Sequence, residues 1–310
     1  MEDFRKKPLE YGIIKTNAFL KIIKSLHTAG FSGMTLTGGE PLLNPDWDKI
    51  VEKSKKIGMS RIGLTTNGVL LSAYLKRNKH LPKGLTLLTI SLDSLDPKRF
   101  QKITGLDKLK DIIKGLKLAK KDNPNLVIRA NKVVLRSDLK NLLDYIKLCE
   151  KNKLVDEINL LNLILKNDGD KKFFENEFVS AKNVLKFFSS HAKYKFSIDK
   201  KYEYNAKLPG GLKIFLKDTN LTLRNNKCIN CPIYCQEGFF TVRIATDGNI
   251  TTCPDYHSQL SSIDGVKEIK KGTLDNKMHN LVYTLKKTKL KRTLDKFLSK
   301  HHVILPKNKN

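Results

Sequence analysis

The sequence predicts an α/β protein: parallel strands joined by crossover helices up to about residue 165, then a linker, then a smaller strand-rich unit with clustered cysteines. Three observations carry this expectation. Short β-branched runs alternate five times with helical periodicity before residue 165. Four of those five runs carry polar or glycine-bearing sequence at or near their carboxyl ends. Four of the five cysteines crowd between Cys228 and Cys253, beyond a Pro209-Gly210-Gly211 break.

The first unit reads in order. A helix over about Thr16 to Ala29 leads to strand GMTLT, helix DWDKIVEKSKK to strand RIGLTT, and helix LLSAYLKRN to strand LTLLTISL. Helix LDKLKDIIKGLKLAKK then leads to strand LVIRANKVVL, and helix LKNLLDYIKLCEKN to strand VDEINLLNLI. On pattern alone these five units fit a barrel or a doubly wound sheet equally well. In either architecture the carboxyl ends of parallel strands converge on one face, where ligands bind. Thr37-Gly38-Gly39-Glu40-Pro41, Thr65-Thr66-Asn67-Gly68, Ser91-Leu92-Asp93-Ser94 and Arg129-Ala130-Asn131 therefore form one composite site. Residues 166–215 read as a linker with one amphipathic helix, VSAKNVLKFFSSHAKY. Residues 216–310 read as the cysteine-bearing unit with a Lys-rich helical tail.

Lys and Arg outnumber Asp and Glu by 59 to 31, a surplus that attracts anions of any kind. The basic residues are mostly scattered Lys on solvated faces, and aromatic residues are not interleaved with them as stacking platforms for single strands require, which argues against nucleic acid. No apolar run reaches the roughly 18 residues of a membrane span, and the start MEDFRKKPLE lacks a signal-peptide core. The expected location is the cytoplasm, with no membrane partner; oligomeric state is not legible.

A glycine pair at a strand end lets backbone groups approach a ligand without a Cβ in the way, and Glu40 beside it can accept hydrogen bonds from a ligand amine. The plainer reading of GGEP is a strand-to-helix turn with Pro at its helical start. Ser91 and Asp93 could likewise be a strand terminus before an Asp-Pro turn. The cysteines read Cys228-x2-Cys231-x3-Cys235, then, after 17 residues, Cys253 within VRIATDGNITTC. An Asp247-Gly248 turn would fold a hairpin that returns Cys253 beside the first pair, so the thiolates can converge on an iron–sulfur cluster or zinc. Cys149, on the apolar stripe of its helix, is a small core residue.

Taken together, LTGGEPLL (36–43), LTTNGVLL (64–71), SLDSLDPKRFQKITG (91–105) and NKVVL (131–135) resemble, in order and spacing, radical S-adenosylmethionine (SAM) proteins of the GTP 3',8-cyclase type. The resemblance covers about residues 10–165 well and 228–256 in part. It implies a partial (β/α) barrel, here without its first strand, plus a smaller C-terminal iron–sulfur domain, and a role in the first step of molybdenum cofactor biosynthesis. It implies that Gly38, Gly39 and Glu40 meet the methionyl part of SAM, that Ser91 is a further SAM contact, and that Leu163 stands where a Met flanks the adenine. Thr66 and Arg129 match positions that touch the nucleotide substrate, Arg129 standing in for a Lys, and Arg243 matches one of an Arg-x-Arg pair. Cys228, Cys231 and Cys253, with an added Cys235, would hold a C-terminal [4Fe–4S] cluster. The implied partners are GTP, or another small-molecule or peptide substrate, and a reductant protein such as ferredoxin or flavodoxin.

The chain also departs from that family. A radical SAM enzyme needs a Cys-x3-Cys-x2-Cys loop whose three thiolates leave one iron free for SAM, and no cysteine precedes Cys149. The opening MEDFRKKPLEYG resembles sequence that follows that loop. The expectation is that the chain as given generates no radical, through a misassigned start or truncated gene rather than a split enzyme or a degenerate protein. Thr35 stands where the cyclase has a GTP-contacting Arg, and the chain ends in Asn310 without the cyclase's Gly-Gly. The added Cys235 and longer arm are closer to the auxiliary-cluster domains of peptide-modifying relatives, the alternative function. A non-catalytic, metal-stabilised basic binding module is the other alternative.

Overall fold

The computed structural model describes residues 13–164, 170–198, 204–218, 242–252 and 262–287. Its main sheet takes strands β1 (Gly33–Leu36), β2 (Arg61–Thr66), β3 (Leu87–Ser91), β4 (Val127–Val133) and β5 (Glu157–Leu161) side by side and parallel. They are joined by helices α2 (Trp47–Ile57), α3 (Leu71–Asn78), α4 (Pro97–Thr104), α5 (Leu109–Asp122) and α6 (Leu142–Lys151), with α1 (Thr16–Thr28) leading in. The spatial order of β1 to β5 never reverses. Because parallel crossovers are right-handed, such an order puts every connecting helix on the same face, as in a barrel; a doubly wound sheet would reverse and cover both faces.

Local chemistry accounts for the element ends. Helix α2 stops at Gly58, in the left-handed conformation. Helix α4 starts at Pro97 because the Asp96 carboxylate accepts the Arg99 N–H and Pro suits the first helical turn. The expected Asp-Pro turn is thus the cap of a helix that the sequence reading did not include. Helix α6 is preceded by a 3-10 turn, Arg136–Asn141, where a single longer helix was expected.

The segment expected to be a linker with one helix contains two, α7 (Lys171–Glu177) and α8 (Ala181–Ser189), capped by Asp170 and Ser180. It also supplies strands. β6 (Ser197–Ile198), β7 (Tyr204–Lys207) and β8 (Lys213–Leu216) extend the main sheet in the order β5-β8-β7-β6, and β8 runs parallel to β5 as a sixth parallel strand. A second sheet of β9 (Arg243–Ile244), β10 (Asn249–Thr251) and β11 (Ile263–Asp264) is antiparallel, followed by α9 (Gly265–Lys271) and α10 (Leu274–Lys287).

Alternation along the strands gives the sheet two unlike faces. Ile62 and Leu64, Leu88 and Ile90, Ile128 and Ala130, Ile158 and Leu160, and Ile214 and Leu216 are all buried in or beside the helix-covered core. Each such Ile or Leu side chain contributes about 1.5–3 kcal/mol by leaving water. Helix α1 is shared: Ile23 packs into this core, while Ile22, Leu26 and the capping Ala29 just past its end join Ile250, Leu274, Met278 and Leu281 in a second one. No helix among the described residues is long and apolar enough to cross a membrane.

Candidate functional site

The other face of the sheet is polar. In register, Thr65, Thr89, Arg129, Glu157 and Lys213 form one row across five strands, and Ser91, Asn131, Asn159 and Phe215 form the next row toward the carboxyl ends. Asn159 donates to the Asn131 carbonyl oxygen Oδ1 at 3.0 Å. The Arg129 guanidinium gives both Nε and Nη2 to Glu157 Oε2, at 2.9 and 2.6 Å, and lies 5.5 Å from the Phe215 ring centroid. Lys213 Nζ is 3.7 Å from the other Glu157 oxygen. Of these residues only Ser91 and Arg129 had been singled out from sequence as ligand contacts. Polar residues at every second position of β4 and β5 are the signal that marks Asn131, Glu157 and Asn159.

The glycine loop follows β1. Gly38 has φ of +99°, a conformation that side chains disfavour, and a Cβ built at Gly38 or Gly39 would meet nothing within 4 Å. The loop backbone therefore faces open space at the strand ends. Glu40 turns back onto the protein: Oε1 accepts the Thr66 hydroxyl at 2.6 Å and the Leu42 N–H at 3.0 Å, and Oε2 accepts the Asn67 N–H at 2.9 Å. Thr66 is buried, lies on the helix-side row, and accepts the Gly68 N–H at 3.0 Å. Both side chains are thus engaged in bracing the ends of β1 and β2.

The end of β3 is held just as closely. Asp93 accepts the Val133 N–H at 2.8 Å, and burial raises its carboxyl above the usual range. Tyr145 donates to the Leu92 carbonyl at 2.8 Å, and Lys132 Nζ donates to the Asp93 carbonyl at 2.5 Å. Burial lowers the Lys132 pKa, opposed by Asp138 and Asp93. Arg99 pairs with Asp138, which ties α4 to the turn after β4. The string SLDSLDPKRF is accounted for by these contacts: it caps a helix and fastens the loop that begins at an exposed Ser91.

Leu163 is half-buried two residues beyond β5, next to Asn162, whose amide donates to the Val179 carbonyl at 2.8 Å. Arg243 sits in the second sheet, opposite Thr251 in register. The expected hairpin is present between β9 and β10: Asp247 Oδ1 accepts the Asn249 N–H at 2.9 Å, and Gly248 has φ of +89°. Cys228, Cys231, Cys235 and Cys253 lie outside the described residues. Among the described residues no three His, Cys, Asp or Glu side chains converge as a metal site.

Residues 3–135 match the radical SAM superfamily. The GTP 3',8-cyclase of Peptoclostridium acidaminophilum is 30% identical over 272 residues, a match covering 86% of this chain and 77% of that one. The chain belongs to the radical SAM superfamily, in the GTP 3',8-cyclase family. A probable GTP 3',8-cyclase of Sulfolobus acidocaldarius is 28% identical over 232 residues, 72% of this chain and 66% of the relative. The match thus spans just under two thirds of the archaeal protein. Among solved structures, native anSMEcpe with bound AdoMet shares the fold, with a TM-score of 0.53 at 15% identity over 90% of this chain and 76% of that one. As a radical SAM family member, the chain has the mostly parallel α/β sheet expected from its motifs, and the choice between barrel and doubly wound sheet falls to the barrel type.

Proposed function

We propose that the strand ends bind SAM through the Gly38-Gly39 backbone and Ser91, with Leu163 beside the adenine, as part of a GTP 3',8-cyclase-type enzyme of molybdenum cofactor biosynthesis. The observation that supports this best is the pairing of an open glycine loop with a polar, hydrogen-bonding sheet face beside it. That donor set suits a zwitterionic nucleoside such as SAM, whose amine, carboxylate and ribose all need partners. Bound SAM supplies hydrogen-abstracting chemistry once reduced; this chain's residues bind it, orient it and exclude water. Glu40 contributes chiefly by shaping the loop, with one lone-pair direction left for a ligand amine. Arg129 and Arg243 would face GTP, Thr66, buried and bonded to Glu40, would shape the end of β2 without meeting the nucleotide, and a ferredoxin or flavodoxin would supply electrons.

In this reading Cys228, Cys231 and Cys253, with Cys235 as a further thiolate, hold a C-terminal [4Fe–4S] cluster, and the β9–β10 hairpin leads the chain toward Cys253. These 310 residues contain no Cys-x3-Cys-x2-Cys, so the chain by itself is inactive in SAM cleavage. A substrate with fewer phosphates, a peptide included, is the second reading. It is favoured by Thr35 in place of an Arg and by the Arg129–Glu157 pair, which neutralises a guanidinium on the polar face of the sheet.

Equilibrium dialysis of SAM against wild-type protein and Gly39→Val tests the site. Binding by wild type and its loss in the variant are expected; equal binding would overturn the assignment. Anaerobically purified protein should carry about one [4Fe–4S] cluster per chain, the set implied by three or four clustered thiolates. Stoichiometric zinc without iron would defeat that part. 5'-Deoxyadenosine formed above a no-protein control would defeat the expectation of inactivity.

A further inference from the structure

Lys132 breaks the pattern of its strand. Ile128 and Ala130 precede it on the helix-covered face, and Leu160 and Leu216 continue its row on β5 and β8, all apolar and buried. Lys132 is only 3% exposed there. An apolar side chain of similar length would fill this space without taking an ammonium group out of water. What it could not do is donate. Lys132 Nζ holds the Asp93 carbonyl at 2.5 Å, lies 3.4 Å from Asp138 Oδ2 and stands 5.0 Å from the Tyr145 ring centroid. Tyr145 holds the neighbouring Leu92 carbonyl, and Leu92 N–H donates to the Asn131 carbonyl at 3.0 Å. The two carbonyls that follow Ser91, where the strand leaves the sheet, are thus each held by a side chain from β4 or α6.

We infer that Lys132 is a positioning residue, which, together with Tyr145, fixes the Leu92–Asp93 backbone so that Ser91 keeps the orientation that meets the ligand. The inference rests on the reading of Ser91 as a SAM contact. Lys132→Met keeps the stem and removes the ammonium group; Tyr145→Phe removes only a hydroxyl. Both are read by amide hydrogen exchange across residues 91–95 and by SAM dialysis on the 310-residue chain, beside Ser91→Ala and the Lys132→Met/Ser91→Ala double variant. Lys132→Met should speed exchange in the loop and weaken SAM about fivefold, the size of one ordinary hydrogen bond. Ser91→Ala should lose a similar factor, and the double variant should bind no more weakly than Ser91→Ala, because one residue acts through the other. Additive losses, or full SAM affinity in Lys132→Met while Ser91→Ala loses it, overturn the inference and leave the site standing. If wild type binds no SAM, or Ser91→Ala binds as well as wild type, the site reading fails and takes the inference with it. Should Lys132→Met not fold, Tyr145→Phe carries the same comparison, since it strands no buried charge.

Discussion

The Glu40 carboxylate accepts the Thr66 hydroxyl at 2.6 Å, joining two strand ends that are 26 residues apart in the chain. With the Leu42 and Asn67 amides on the same carboxylate, and the Gly68 amide on Thr66, one acidic side chain organises the loops after β1 and β2. The glutamate beside the glycine pair therefore works on the protein first and on any ligand second.

Glu40→Gln should destabilise the ligand-free protein. Either way the amide is turned, its NH2 faces at least one N–H or O–H donor that now has no acceptor. The cheaper turn strands the exposed Asn67 N–H, which water can reach, so the cost is that of one hydrogen bond, about 0.5–1.5 kcal/mol. Chemical denaturation of the two proteins without ligand measures it, and unchanged stability would mean that the carboxylate is not the brace described.

The two glycines of the loop should separate by substitution. Gly38→Ala places a Cβ on a backbone at φ +99° and should cost about 1–2 kcal/mol of stability whether or not ligand is present. Gly39 has no such φ and open space beyond it, so Gly39→Ala should change stability by less than about 0.5 kcal/mol yet weaken SAM binding. Denaturation midpoints and SAM dialysis on both variants check this. Gly39→Ala binding SAM as wild type does would place the ligand elsewhere.

Much of this was legible in the sequence because local chemistry wrote it there. RIGLTT is a strand with the expected bounds, since its β-branched and aliphatic residues suit a sheet buried on one face. The Asp247-Gly248 pair announced the hairpin it forms, with Gly248 at φ of +89°. Helix α4 was passed over because Asp96-Pro97 serves a turn and a helix start equally well, and only the Arg99 amide on Asp96 decides. The pairing of β8 with β5 joins residues more than 50 apart, and no periodicity within KIFL reveals which strand it will meet. The same limit hid the Arg129–Glu157 pair: each residue is visible in its own strand, but their contact depends on the register between strands.

Glu157→Gln should tighten triphosphate binding if the substrate is GTP. The change keeps the side chain's shape and removes the negative charge that faces Arg129 and Lys213. About a fivefold gain in GTP affinity at low salt is expected, from one favourable charge contact of about 1 kcal/mol, shrinking as salt is added. Fluorescence titration with a GTP analogue gives the number. Identical affinities in the two proteins would detach Arg129 from the phosphates and favour the substrate with less charge.

Cys149 offers a test of the core beneath the site that is independent of any ligand. It is fully buried on α6 among the residues that pack behind β4, and burial pushes its thiol from near 9 up to about 12, against smaller opposing effects of Tyr145 and Lys132. The folded protein therefore keeps this proton where the unfolded chain releases it. Below pH 9 both states hold the proton and the thiol adds no pH dependence. Between about 9 and 12 the folded state binds more protons than the unfolded one, so stability falls as pH rises, by up to about 1.4 kcal/mol per pH unit. Cys149→Ala removes this loss while leaving Lys132 and Tyr145 to titrate in both proteins. The stability difference between wild type and variant, from denaturation in a reducing buffer, should be flat from pH 7 to about 8.5 and then drift in the variant's favour up to pH 10.5. A difference that stays constant across the whole range would mean that the thiol ionises in the folded state as it does in water, and that the packing of α6 against β4 is looser than described.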